Sequence, residues 1–298
     1  MEEVLTDQKE ITFRIAGNEL VSEEGYNLFY MIESLDCFQT LVEKSYLLAG
    51  RKSHMTAGDR EQLKVKAFNI REGSFVVDLV ICLRDVTVSI TPLVTAMDPD
   101  ALWELLVKSY EYLKVVLRAR EKGESIHMEI VDSTNAFNIV NTQGDVIINN
   151  ISADAIDLAK MTAPIYGKMA NLISDDGKVD EISVMEKLSD HDVGIKINKE
   201  DKSLYKKRTF TDEDSCTFVG KITTANSYNS TGKIEVLEET EELPKGVYPY
   251  EFIDKESDGL LRESFTVKKK FVALRKITFN PATLEESVVS LRIVSVKD

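Results

Sequence analysis

From Leu204 onward, apolar side chains recur at every second position. Turn signals interrupt them at Asp212-Glu213-Asp214, Asn229-Ser230-Thr231-Gly232, Lys245-Gly246, Asp258-Gly259 and Asn280-Pro281. A period of two is that of β-strands, whose successive side chains point to opposite faces, and it is incompatible with helix over this stretch. About five or six strands in roughly 90 residues, with almost no helix, describe a small closed or half-closed antiparallel β-barrel, OB-like in size and strand number. The preceding residues follow mixed periods. The expected fold class is therefore α+β: an N-terminal α+β region with amphipathic helices, then a C-terminal barrel.

Ahead of the barrel, residues 10–16 (EITFRIA) alternate through Ile11, Phe13 and Ile15 and predict a half-buried strand closed by Gly17-Asn18. Leu28, Ile32, Leu35, Phe38, Leu41, Val42 and Tyr46 recur at three- and four-residue steps, which predicts a long helix from Ser22 to about Leu48 with Ser22 as N-cap. Residues 62–70 and 74–83 read as strands joined by a turn at Arg71–Ser74, and residues 99–120 as an amphipathic helix. Short strands are expected over 126–131 and 137–151, the latter folded at Thr142–Asp145. Helices follow over 153–173, kinked or divided at Pro164, and over 181–188. The polar run from Lys196 to Ser203 marks the boundary before the barrel. The expected domains are 1–152, a helical middle and linker over 153–203, and the barrel over 204–298.

Charge narrows the function classes. The chain carries 51 acidic and 37 basic residues, a net charge of −14. Residues 199–298 hold 18 acidic and 17 basic side chains, so nearly the whole excess lies before them. The phosphates of duplex DNA repel so acidic a chain, so specific duplex binding is disfavoured, and any anion is expected to meet the near-neutral last third. The first residues, MEEVLTDQKE, lack the basic and apolar regions of a signal peptide, which predicts a cytoplasmic protein. Phe75–Met97 is the most apolar stretch, but Asp78, Arg84 and Asp85 interrupt it. Its longest uncharged run, 86–97, is 12 residues, short of the roughly 18 a spanning helix needs.

The motifs of catalysis are missing. His54, His127 and His191 stand apart from one another, and Cys37, Cys82 and Cys216 fit neither a disulfide framework nor a zinc ribbon. Gly232-Lys233 lacks both the first glycine and the hydroxyl residue of a phosphate loop. Asp190, followed by Glu200-Asp201-Lys202, has the carboxylate, spacer, Glu-x-Lys form of metal-dependent nucleases. In a chain so rich in charge it also reads as a solvated linker. No enzyme activity, metal or cofactor is expected.

The binding signal lies in the barrel. Lys206, Lys207, Arg208, Lys268, Lys269, Lys270, Arg275 and Lys276 are interleaved with Phe210, Phe218, Tyr228, Tyr248, Tyr250, Phe252, Phe265, Phe271 and Phe279. Cations that hold phosphates beside rings that stack bases are the ingredients of nucleotide or single-strand binding. Most of these rings fill the barrel, leaving two or three as surface platforms, with Tyr228 in a turn the first candidate. An interaction protein using its acidic N-terminal surface to imitate nucleic acid is the competing class.

Three segments, EGSFVVDLVI (72–81), NAFNIVNTQGDVIINN (135–150) and FVGKITTANSYNSTGKIEV (218–236), resemble a loosely defined family of bacterial proteins from mobile elements and defence islands. The layout is similar to that of the effectors of the Hailong anti-phage pair. The resemblance implies a non-enzymatic, homo-oligomeric effector that senses an oligonucleotide made by a partner nucleotidyltransferase and opens an ion channel in the inner membrane. Residues 75–117 themselves hold two amphipathic segments that cannot span a bilayer alone but are expected to line a pore when several chains contribute them, with Trp103, Leu105, Tyr110 and Val116 on the membrane and oligomer surface.

Overall fold

The computed structural model describes residues 7–21, 23, 25–71, 74–83, 98–124, 126–131, 136–141, 145–187, 193–226, 228–253 and 264–297. Two compact units emerge, residues 1–206 with 281–283 and residues 207–280 with 284–298.

The first unit starts with β1 (Asp7–Ala16), a ribbon of β2 (Leu20–Val21) and β3 (Gly25–Tyr26), and helix α1 (Leu28–Ala49). The short helix α2 (Ala57–Gln62), strands β4 (Leu63–Arg71) and β5 (Phe75–Leu83), and helix α3 (Pro99–Lys122) follow. Next come β6 (Ile126–Ile130), β7 (Ala136–Asn141), β8 (Val146–Ser152) and α4 (Ala153–Leu172), then β9 (Glu181–Glu186), β10 (Gly194–Asn198) and the single turn α5 (Lys199–Lys202). Five strands make one antiparallel sheet in the order β10-β9-β1-β5-β4, while β6, β7 and β8 form a separate sheet. Ile11, Phe13 and Ile15 of β1 are fully buried, and the Phe13 ring packs on Phe38 of α1 at 5.8 Å between centroids.

The helices follow local chemistry. Asp98 caps α3 by accepting from the Ala101 N–H, Pro99 fills the first turn where no amide partner is needed, and Gly123 ends the helix at a φ of 75°. Helix α1 begins at Leu28 under an Asn27 cap, later than expected from Ser22, which lies outside the described residues. Pro164 does not divide α4, which runs unbroken from its Ser152 cap.

Two expectations fail for one reason. Residues 181–188 were expected to be helical, yet Glu181–Glu186 is a strand, with Ile182 and Val184 turned into the core. β9 lies between β1 and β10, pairing Phe13 with Val184 and Val184 with Ile195. A six-residue segment with two β-branched residues at alternate positions is claimed by the open edge of β1 more strongly than by weak local helix propensity. The segment expected to be an independent middle and linker, 153–203, is therefore part of the first unit. The polar run at its end contributes β10 to the sheet.

Helix α3 also corrects an expectation. Trp103, Tyr110 and Val116 are buried and Leu105 half-buried within the chain itself, because α3 packs on α4, α1 and the sheet. The Tyr110 hydroxyl donates to the Lys196 carbonyl, and its ring lies 5.1 Å from that of Tyr166 on α4. This apolar face is occupied inside the chain, where a membrane or neighbouring-copy surface was expected. Among the described residues no helix is long and apolar enough to cross a membrane, and 84–97 lies outside them.

The second unit is a closed barrel of β11 (Arg208–Asn226), β12 (Thr231–Val236), β13 (Gly246–Phe252), β14 (Lys269–Asn280) and β15 (Glu285–Lys297), in the order β11-β12-β13-β15-β14. The 19-residue β11 closes it by pairing with β14 over 208–220 and with β12 over 220–226, bending at two register shifts. The expected all-antiparallel barrel has one exception, since β13 and β15 run parallel through Tyr250↔Leu291. Phe218 and Phe271 stack at 5.6 Å in its core beside Ile222, Ile234, Leu291 and Ile293. Gly232 is required where β12 crosses β11, because a Cβ there would lie 1.9 Å from the Thr224 carbonyl oxygen.

Candidate functional site

Barrel closure decides which of the expected binding residues meet. Arg208 lies opposite Phe279 at one end of the β11–β14 pair, and Lys269 lies opposite Gly220 at the other. The runs 206–208 and 268–270 are thus separated by about ten residues of strand, on the order of 30 Å, whereas Lys276, opposite Thr211, lies near the Arg208 end. The two runs do not form one face. Lys206 and Lys207 are exposed ahead of β11, and Arg208 is half-buried. Lys268 is engaged by Glu238 at 2.8 Å, Lys270 lies opposite Lys297, and Lys269 is half-buried. Arg275 is held by the Asp212 carboxylate and by the Glu242 carbonyl at 2.7 Å, so its guanidinium ties β14 to neighbouring segments.

Of the nine aromatic residues, Phe218, Tyr250, Phe252 and Phe271 fill the barrel interior and Phe279 is buried outside that cluster. Tyr228 is 98% exposed at the tip of the β11–β12 turn. Its N–H donates to Asn226 Oδ1 at 3.0 Å, Thr231 Oγ1 donates to Asn229 Oδ1 at 2.7 Å, and Ser230 adopts a φ of 53°. These bonds tie down the Tyr228 amide and the Asn229–Thr231 segment, which lowers the entropy lost when a flat partner stacks on the ring.

That turn leads into a cleft of about 430 Å³ to which all five barrel strands contribute, within the range of about 300–1,000 Å³ of small-ligand sites. Its cations are Lys233 on β12 and Lys276 on β14, both exposed and, among the described residues, without a carboxylate partner. Its hydroxyls come from Thr224, Thr231 and Ser290. Glu251, the acid on its wall, is neutralised by Arg292 at 2.8 Å. Tyr250 lines the cleft with its hydroxyl buried and, among the described residues, without a hydrogen-bond partner. Burial pushes that phenol up to about 12, so it remains a donor at neutral pH. An unsatisfied buried hydroxyl costs free energy, and a ligand that reaches it is one way such a group is completed.

Lys276 is the one residue of the expected set in this cleft. Lys233 and Tyr250 were missed as ligands, the first because it stands alone between Gly232 and Ile234, the second because alternation marks it only as core.

Outside the barrel the nuclease-like pattern resolves into structural contacts. Asp201 is buried, its carboxylate held by Lys114 at 3.0 Å and Arg118 at 3.6 Å, while Asp190 lies outside the described residues. Among the described residues no three His, Cys, Asp or Glu side chains are grouped to hold a metal ion. The three thiols are buried, and desolvation pushes that of Cys37 up to about 11, where it is a poor nucleophile.

No protein-family model, curated protein or solved structure matches this chain.

Proposed function

We propose that the C-terminal unit is an OB-like barrel that binds a short single-stranded oligonucleotide across β12 and β13. The strand order supports this reading: counted within the barrel it runs first, second, third, fifth, fourth, with the third and fifth parallel. In such barrels the second and third strands and the turn between the first and second make the binding surface. The observation that carries the proposal is the cleft these strands help to line, where Lys233 and Lys276 share the lining with Tyr250, whose buried hydroxyl has no hydrogen-bond partner among the described residues, and Tyr228 projects from the adjoining turn. The cations would take phosphates and the exposed ring a base. The role is binding without cleavage, as in an effector that receives an oligonucleotide signal from a partner enzyme.

Fluorescence anisotropy with a labelled single-stranded octamer tests it. Replacing Lys233 and Lys276 together with Ala is expected to weaken binding at least about tenfold and to reduce the slope of log K against log salt by about 1.4, the value for two lost phosphate contacts on a single strand. Replacing Lys268, Lys269 and Lys270 with Ala, at the far end of the strand pair, is expected to matter less. The octamer should be recovered intact after incubation with magnesium or manganese. Absence of binding at 50 mM salt, or binding indifferent to the Lys233 and Lys276 pair, refutes the proposal. Cleavage abolished by Glu200→Ala would reinstate the nuclease reading.

A further inference from the structure

We infer that strand β6 is an isologous pairing edge, at which a second copy of this chain adds its own β6 antiparallel to the first. This inference is independent of the barrel and its ligand.

β6 is the end strand of the β6-β7-β8 sheet, so among the described residues one side of its backbone has no strand beside it. Its pairing with β7 places Met128 opposite Ile139 and Ile130 opposite Phe137. Ile139 is fully buried, but Met128 is 55% and Ile130 is 76% exposed. Helices α3 and α4 pack against β8, and the core-facing side of the sheet continues past that cover to β6. Apolar side chains on the core side of an uncovered edge are the arrangement that monomeric proteins avoid with lysines, prolines or bulges. β6 carries none of these devices.

The sequence of β6 identifies the partner. It reads Ile-His-Met-Glu-Ile and is a near palindrome about Met128. When two copies pair antiparallel on a two-fold axis through Met128, Ile126 faces Ile130 of the second copy and Met128 faces Met128. On the opposite side of the sheet each His127 faces a Glu129. All five cross-strand pairs are then favourable, three apolar and two imidazole–carboxylate. Shifting the pairing two residues one way sets Glu129 against Glu129, and two residues the other way sets His127 against His127. One register therefore satisfies both faces, and a symmetric contact closes on itself as a dimer. A strand pair of this length buries little area, so a dimer in the micromolar range is expected.

Sedimentation velocity of the full chain from about 5 to 200 µM should show a monomer–dimer equilibrium. Met128→Lys is expected to weaken it at least about tenfold. Glu129→Lys should do the same, and combining it with His127→Glu should restore the dimer by recreating opposite charges at both pairs. Directly opposite residues on antiparallel strands bring their Cα atoms to about 4.5–5.5 Å, within the range a disulfide spans. Met128→Cys should thus cross-link under mild oxidation, the native cysteines being buried. Val146→Cys on the other edge strand should not. A monomer at 200 µM with no Met128→Cys cross-link overturns the inference. So does a dimer that persists in Met128→Lys, and so does growth beyond a dimer, which would signal β6 pairing with β8 in an open chain.

Discussion

Two buried polar groups in this protein face opposite circumstances. The Tyr250 hydroxyl is buried with no bonding partner among the described residues, whereas the Asp59 carboxylate is buried with everything it needs: Lys52, the Thr56 hydroxyl and amide, and the Tyr46 hydroxyl at 2.9 Å. Removing the first should help the fold. Tyr250→Phe is expected to stabilise the barrel by about 1 kcal/mol, a rise of a few degrees in the melting temperature, while weakening oligonucleotide binding. Calorimetry and anisotropy on one preparation check both halves. Removing the second should harm it. Hydrogen bonds from Lys52 and then Thr56 hold the Asp59 carboxyl well below the usual carboxylate range. A depressed folded-state value contributes stability that is complete above the unfolded value near 3.9 and is lost as pH falls toward the folded one. Asp59→Asn is therefore expected to cost on the order of 2 kcal/mol at pH 7 and progressively less below about pH 4. Urea unfolding at pH 7, 4 and 3 would show the gap between the two proteins closing.

At the scale of elements, α3 tests where its apolar face is used. Val116→Glu puts a carboxylate at a buried position and is expected to abolish cooperative unfolding or to cost at least about 3 kcal/mol. Leu105→Glu, at a half-buried site, should cost less. A face reserved for a membrane or for neighbouring copies predicts the reverse, both variants folding as well as the parent, and thermal melts followed by circular dichroism distinguish the two. The elements also show what was legible in advance. A continuous three- and four-residue stripe made α3 readable, and alternation made the barrel strands readable, because both signals are local. β9 was unreadable because six residues with two β-branched side chains become a strand only beside β1, some 170 residues earlier. The cleft was unreadable for a similar reason. Lys276 stood out beside Arg275, but its partner Lys233, 43 positions earlier, stands alone between Gly232 and Ile234, while the conspicuous lysines at 268–270 fall at the far end of β14. Charge density along a chain marks clusters, and strand register decides which of them share a surface.

Across the whole molecule, the uneven charge should appear in how binding responds to salt. Counterion release alone makes affinity rise steadily as salt is withdrawn. Here the residues before 199 carry nearly all of the net charge of −14, and at 0.01 M salt, where the screening length is about 30 Å, they repel an approaching oligonucleotide over a long range. The plot of log K against log salt is therefore expected to flatten below about 0.05 M, and a straight line down to 0.01 M would contradict this. The way β11 is shared between two partners has a consequence of another kind, for the order of events during synthesis. β11 joins β12 within a few residues but reaches β14 only after Lys269, and β13 finds its parallel neighbour only at Leu291. Until residues as far as Ile293 have left the ribosome, the first three barrel strands form an open ribbon with two bare edges and half of β11 unpaired. That interval, at about 5–20 residues per second, lasts several seconds, and during it the nascent chain is most exposed to strand exchange with its neighbours on the same message.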